Sequence, residues 1–361
     1  MTPATRLAGW MTLAIATACG SSSDKASPPE QFAASVADGI ADAIERADRL
    51  AEPFHCAELF EANAEPATQV ELAGIRRVAT IEGYRMHLVA DGGRRDREVV
   101  LGVVSDARGA GAETLAEIAR MRGAFEEAGV ELVVSLGGMG KRQDEIEPVL
   151  AALSRGAPWP LWALPGDREE LPAHRAAVAS LRGAGAAVFD GSAIRFVDMG
   201  GVTLGSLPGG AHPGRLVAGR LGCHHRAHDG ARLADELARA DGVRVWVGQT
   251  PPRQRGPASS DLATGGIHVG ETELASLVTR AGAHVVLHGL VDEAALGKAA
   301  GRAALVDGAA PVVLGTGPLD ASPLSDPTGP VYRGAALVLE ISPRTARWSR
   351  IRTLLAGKSQ R

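Results

Sequence analysis

The sequence predicts an α/β fold, and three observations carry that reading. From residue 98 onward, short buried-strand patterns alternate with segments of helical periodicity, the mark of a sheet with helix crossovers. Toward the end the pattern becomes strand after strand, in A-P-V-V-L-G and A-A-L-V-L-E-I-S. Hydrophobic residues make up 45% of the 361-residue chain and charged ones 22%, which suits a packed core and excludes wholesale disorder.

The elements follow in order. Arg6 supplies a positive n-region, and Leu7 to Ala18 form an apolar stretch too short for a spanning helix but suited to a signal-peptide core. It ends in A-T-A-C-G, followed by S-S-S-D. Small residues before a cysteine and a polar tail after it resemble a bacterial lipoprotein signal, although Ala16 stands where that family usually has leucine. The resemblance implies a signal peptide over 1–18 and a lipidated Cys19 with a flexible tether over 19–30. It also implies a place in the cell envelope, anchored to a bacterial membrane by acyl chains such as palmitate. The other reading is an ordinary secretory signal with an incidental cysteine. In an exported protein the two remaining cysteines, Cys56 and Cys223, can form a disulfide or stay as two buried thiols, and the sequence leaves both open.

Residues 31–97 read as an N-terminal segment of one helix and a hairpin. Phe32, Val36, Ile40, Ile44 and Leu50 recur at near-helical spacing, predicting a helix over 30–51. Residues 75–90 predict a hairpin turning at Glu82-Gly83. The main domain then spans 98–355. E-V-V-L-G-V-V-S-D is a buried strand, and Leu115, Ile118, Met121 and Phe125 mark one face of a helix over 112–128. Further strands are predicted at 131–136, 160–164, 186–189, 193–198, 202–206, 243–248 and 284–288, with helices at 143–154, 170–183, 230–240 and 271–281. The net charge of −4 gives no electrostatic footprint for nucleic acid.

Several chemical motifs fail on inspection. Gly137-Gly138-Met139-Gly140-Lys141-Arg142 sits where a phosphate loop could. The Walker pattern, however, needs glycine at Ser135 and a hydroxyl residue at Arg142. The first strand ends in S-D-A-R-G, not in a dinucleotide glycine triad. No nucleophile-elbow spacing occurs, since G-S-L-P-G breaks it. The cluster Cys223-His224-His225-Arg226-Ala227-His228-Asp229, with His212 upstream, reads first as a polar loop with Asp229 as a helix N-cap. His224 and His228 would have metal-ligand spacing only if that helix began early.

One ordered set does fit. Asp106 in S-D-A-R-G is followed by L-V-V-S-L-G-G, L-W-A-L-P-G-D-R-E, V-W-V-G-Q-T-P-P and V-V-L-H-G-L-V-D. These strand ends resemble the calcineurin-like metallophosphoesterases, whose motifs run D-x-H, G-D, G-N-H-[DE], an isolated H and G-H-x-H. V-V-L-G-T-G-P-L-D likewise resembles the family's closing turn. The resemblance implies a four-layer α/β/β/α sandwich with two metals at the strand ends, hydrolysing phosphoesters. Carried over residue by residue, only Asp106 is identical. Arg108 falls on the first histidine, Gly138 on the bridging aspartate, Asp167 on the asparagine and Arg168 on the catalytic histidine. Gln249 falls on the isolated histidine, Leu290 and Asp292 fall on the last two, and His288 matches no ligand.

Arginine is a donor only and cannot ligate, and glycine offers no side-chain atom. The expectation is therefore a metallophosphoesterase-like domain without cofactor, acting as a binding or envelope-interaction module. Its partners would be the membrane and a protein or an anionic small molecule, with Arg108 and Arg168 ion-paired to Asp106, Asp167 and Asp292. The alternative is a phosphoester hydrolase with one divalent metal, such as Mn or Mg, held by those three aspartates.

Overall fold

The computed structural model describes residues 36, 39, 55–56, 65–71, 77–90, 98–211, 222–325 and 330–355. The chain divides into two compact units, Met1–Pro53 and Phe54–Arg361. In the first, Val36 and Gly39 are helical. The rest of the helix expected over 30–51 lies outside the described residues, as do Cys19, its tether and His212.

The second unit is a mixed α/β body built on two eight-stranded sheets. One sheet runs Glu65–Glu71, Arg77–Gly83, Arg85–Ala90, Phe196–Asp198, Val202–Leu207, Val243–Gly248, Val285–His288 and Val312–Gly315. The other runs Ala300–Ala304, Thr345–Leu355, Val331–Ser342, Val99–Val104, Leu132–Ser135, Leu161–Ala163 and Val188–Asp190, with Leu324–Ser325 paired to Val331–Ser342. Among the described residues five α-helices accompany them: α1 (Ala112–Glu127), α2 (Gln143–Ser154), α3 (Leu171–Gly183), α4 (Ala227–Ala238) and α5 (Thr272–Arg280).

Strand alternation sorts the core into three clusters. Val99, Leu101, Val103, Leu132 and Val134 join Leu204, Val245, Val247, Val285 and Leu287 from the other sheet in one buried cluster. The intervening Val104 and Val133 face Ile118, Phe125, Ile146, Val149 and Leu181 of α1–α3. Phe196, Leu207, Trp246 and Val286 meet Leu233, Leu237, Leu274 and Val278 of α4 and α5. Among the described residues no helix is long and apolar enough to cross a membrane.

Three boundaries differ from expectation. The hairpin belongs to the first sheet, since Arg85–Ala90 pairs in parallel with Phe196–Asp198. The boundary expected at residue 98 thus falls inside a unit that begins at Phe54. Ala79, Ile81, Met86 and Leu88 supply the reason: they are buried in the inter-sheet cluster and could not be covered by a hairpin alone. Its turn lies one residue later, at Gly83-Tyr84, because Glu82 pairs with Arg85. Finally, α4 starts at Ala227 instead of 230, so Asp229 is not the N-cap but lies in the first turn, accepting the Arg226 N–H at 2.8 Å.

Candidate functional site

Val99–Val104, Leu132–Ser135 and Leu161–Ala163 are parallel neighbours, so the loops after them leave one edge of the sheet. Val243–Gly248, Val285–His288 and Val312–Gly315 are parallel neighbours in the other sheet. The two sets of loops meet. Leu319 donates its N–H to Ser105 O at 2.8 Å, Leu290 donates to the Asp106 carboxylate at 3.1 Å, and Asp167 donates to Gln249 Oε1 at 2.5 Å.

Backbone strain concentrates here. Among the described residues, the non-glycine residues with positive φ are Asp106 (54°), Arg108 (55°) and Leu290 (68°). Each such residue costs about 1–3 kcal/mol, and such residues cluster at functional sites. Three backbone bonds tie this loop to the next one: the N–H groups of Asp106, Arg108 and Gly109 donate to Gly137 O, Gly138 O and Met139 O, all within 2.9 Å.

Arg108 is the electrostatic centre. Its guanidinium donates to Asp292 Oδ1 at 2.5 Å and to Asp320 Oδ2 at 3.2 Å. Asp320 also accepts the Ser322 N–H and hydroxyl, each at 3.1 Å. Although burial works against its charge, the paired carboxylates raise the Arg108 pKa above the usual guanidinium value. Beside it opens a cleft of about 650 Å³, lined among others by Glu113, Glu145 and Ser322.

Asp106 is 3% exposed, and burial pushes its carboxyl up to about 6 against the Leu290 N–H and Arg108, which favour ionisation. The folded pKa lies above the ordinary 3.8, so the stabilising protonated form is complete below that value and lost as pH rises through 6. Asp106→Asn should therefore gain stability over wild type between pH 4 and 7, by about 3 kcal/mol at the upper end. Equal stability gaps at both pH values in urea unfolding would refute that.

The expected network is corrected in two respects. Arg168 is exposed and makes no ion pair with a described residue, because the turn after Asp167 points it outward, and Asp320 takes the place foreseen for the other aspartates. Asp106, Asp167 and Asp292 do not gather as a ligand set; among the described residues the group with ligand atoms within 4.8 Å of one another is His55, His228 and Asp229. Asp292 is turned to Arg108, and Asp167 is held by its amide to Gln249. Arg108→Ala should cost about 1–2 kcal/mol, between an exposed and a fully buried pair, whereas Arg168→Ala should leave thermal unfolding unchanged. Equal melting of the two variants would remove the distinction.

A two-metal centre does not fit these residues. A Cβ on Gly138 would lie 2.3 Å from Asp106 Oδ1 and 2.8 Å from its Cα, so the bridging position has no room for a side chain. Arg108 fills the space between the carboxylates with positive charge. Gln249 is 1% exposed and its Nε2 is buried without a hydrogen-bond partner. His288 is fully buried, bonded to Ser260 Oγ at 2.8 Å and Gly289 O at 2.9 Å, and burial lowers its pKa to about 4.

The sequence reading missed Asp320 and Glu169. Asp320 closes the V-V-L-G-T-G-P-L-D segment, and Glu169 stands at the acidic position of G-D-R-E. Glu169 is fully buried and accepts the N–H groups of Met139 (2.7 Å) and Gly166 (3.0 Å), tying two loops together; burial pushes its carboxyl up to about 7. His55 was also missed, and nothing near it in sequence marks it.

No protein-family model matches the chain, and no curated protein matches it. Solved structures do resemble it. One chain at TM-score 0.50 is 12% identical, covering 72% of this chain and 100% of its own. The protein TT1561 of Thermus thermophilus has TM-score 0.45 and 13% identity, over 69% of this chain and 100% of that one. A dimetal phosphatase from Danio rerio has TM-score 0.43 and 10% identity, over 72% and 99%. At these identities the likeness is one of fold alone.

Proposed function

We propose that this chain is an exported lipoprotein of the bacterial envelope whose main domain is a four-layer α/β/β/α sandwich of the metallophosphoesterase type, serving as a non-catalytic binding module. The three core clusters support the layering, and the order of the strand-end motifs supports the type. The observation that carries the non-catalytic reading is Arg108, seated between Asp292 and Asp320 where metals would otherwise neutralise the carboxylates. A guanidinium there holds the strained loops together as an internal counter-ion. The ligand we favour is an anionic group, with exposed Arg168 as the donor available at the rim.

The test is metal analysis of the purified chain with phosphomonoester and phosphodiester assays in added manganese. Neither bound manganese nor turnover is expected. Manganese-dependent turnover would instead establish a metal-dependent hydrolase, and one bound manganese per chain would make it the single-metal one. For the anchor, mass spectrometry should find a diacylated Cys19 at the mature N-terminus, and Cys19→Ser should release the protein from membranes.

A further inference from the structure

A second cluster, which shares no side chain with the cleft, is assembled from parts of the chain far apart in sequence. His55 Nε2 lies 2.6 Å from Asp229 Oδ2, and His228 Nε2 lies 3.3 Å from Asp229 Oδ1. Asp229 is 3% exposed and His55 6%, whereas the His228 side chain is 55% exposed. The carboxylate thus has an imidazole on each oxygen, one reached from the interior and one from solvent.

Two polar atoms of the cluster are left unsatisfied. Asp229 Oδ1 and His55 Nδ1 are buried without a hydrogen bond. Asp229 Oδ1 has His228 Nε2 at 3.3 Å but no hydrogen bond to it, and a buried carboxylate oxygen so poorly satisfied is costly and can be relieved by an ion. Burial raises the Asp229 pKa, but the His55 and Arg226 N–H groups outweigh it and hold the carboxyl below its ordinary value, ready to ligate.

The distances suit a first-row metal. Zinc bonds to imidazole nitrogen and carboxylate oxygen are about 2.0–2.2 Å, which places neighbouring tetrahedral ligand atoms about 3.3 Å apart. The His228–Asp229 separation already has that value. The His55–Asp229 contact, 2.6 Å, has to open by about 0.7 Å as its proton leaves, and the ligand atoms of all three residues lie within 4.8 Å of one another, so the imidazoles draw in as the ion binds. Two imidazoles with one carboxylate favour zinc-like ions over magnesium. Three protein ligands leave a fourth position for water or another donor.

The position of His55 is fixed by neighbours that are not ligands. Cys56 forms a disulfide with Cys223, and Cys56 donates its N–H to His224 O at 3.1 Å. The His224 ring stacks on His55 with centroids 5.3 Å apart. Arg195, buried close enough to interact with Asp229, opposes the cation and limits the affinity.

We infer that His55, His228 and Asp229 form a binding site for a zinc-class divalent cation, assembled by the Cys56–Cys223 disulfide and sharing no ligand with the Asp106–Arg108 cleft. The experiment is titration of the oxidised full chain with zinc by calorimetry, and with cobalt by its visible absorption. One equivalent should bind, with cobalt showing a tetrahedral spectrum and magnesium failing to compete. His228→Ala removes an exposed ligand and should melt as wild type without metal. It should weaken zinc by more than about tenfold, since even outer-shell partners of a metal are worth about 10–100-fold. Cys56→Ser with Cys223→Ser should weaken it as well, by freeing His55. No zinc uptake by the wild type would overturn the inference. So would unchanged affinity in His228→Ala, or loss of binding in Asp292→Asn, which would put the ion in the cleft.

Discussion

Gly138→Asp, which would put a carboxylate where the proposed metallophosphoesterase resemblance calls for a bridging ligand, is expected to destabilise the domain severely and to gain no metal. The new Cβ would meet Asp106 Oδ1 at 2.3 Å and Asp106 Cα at 2.8 Å. The first contact could ease by rotation, but Asp106 has little freedom, since its N–H is bonded to Gly137 O and its carboxylate holds Leu290. Gly138 also has φ of 77°, which costs a non-glycine residue about 1–3 kcal/mol. Overpacking costs about another 1–3 kcal/mol, and a second carboxylate beside Asp106 adds repulsion. Total stability of such domains is about 5–15 kcal/mol, so the loss is a large part of it. Gly138→Ala serves as the control for space and backbone without charge. Urea unfolding should rank wild type above alanine and alanine above aspartate, with manganese leaving the order intact. If manganese rescued the aspartate variant to wild-type stability, the site would be shown to accept the metal that its geometry excludes.

Much of this fold was legible because it is written in local periodicity. V-V-L-G-V-V at 99–104 alternates between two cores, and α2 matches its predicted limits, 143–154. The strand ends were legible through motif order, which brought Asp106, Gly138, Asp167, Gln249, Leu290 and Asp292 to one region. What local pattern does not encode is which long-range partner each side chain finds. Arg108 reaches Asp320 across 212 positions, and His55 reaches Asp229 across 174. Arg168 sits at a motif position yet turns outward, because the loop conformation, not the spacing, sets its direction. Glu65–Glu71 escaped notice for a different reason: E-P-A-T-Q-V-E has too few apolar residues to announce an edge strand. The clash at Gly138 depends on the approach of a second loop to within contact distance, which no spacing argument reaches.

Removing the disulfide is expected to have the other large effect. Cys56 and Cys223 are each 1% exposed, with Cα atoms 5.3 Å apart and 167 positions between them in sequence. Cross-linking so long a loop removes much of the freedom of the unfolded chain, and losing a native disulfide typically costs about 2–5 kcal/mol. The two ends will not suffer alike. Cys223 is independently fastened, its N–H directed to Gly166 O (3.2 Å) and Glu169 O (3.1 Å), so that segment should stay with the cleft loops. Cys56 has the N–H bond to His224 O, and the adjacent His55 has its bond to Asp229. The segment around His55 is therefore where opening should begin. Because both sulfurs are buried, reductant alone should react slowly with the folded protein, and quickly once urea opens it. Cys56→Ser with Cys223→Ser should lower the urea midpoint, and hydrogen exchange should quicken at His55 and Cys56 before it does at Cys223. A double variant with an unchanged midpoint, or with exchange rising first at Cys223, would mean that the rest of the domain, not the disulfide, holds the N-terminal segment in place.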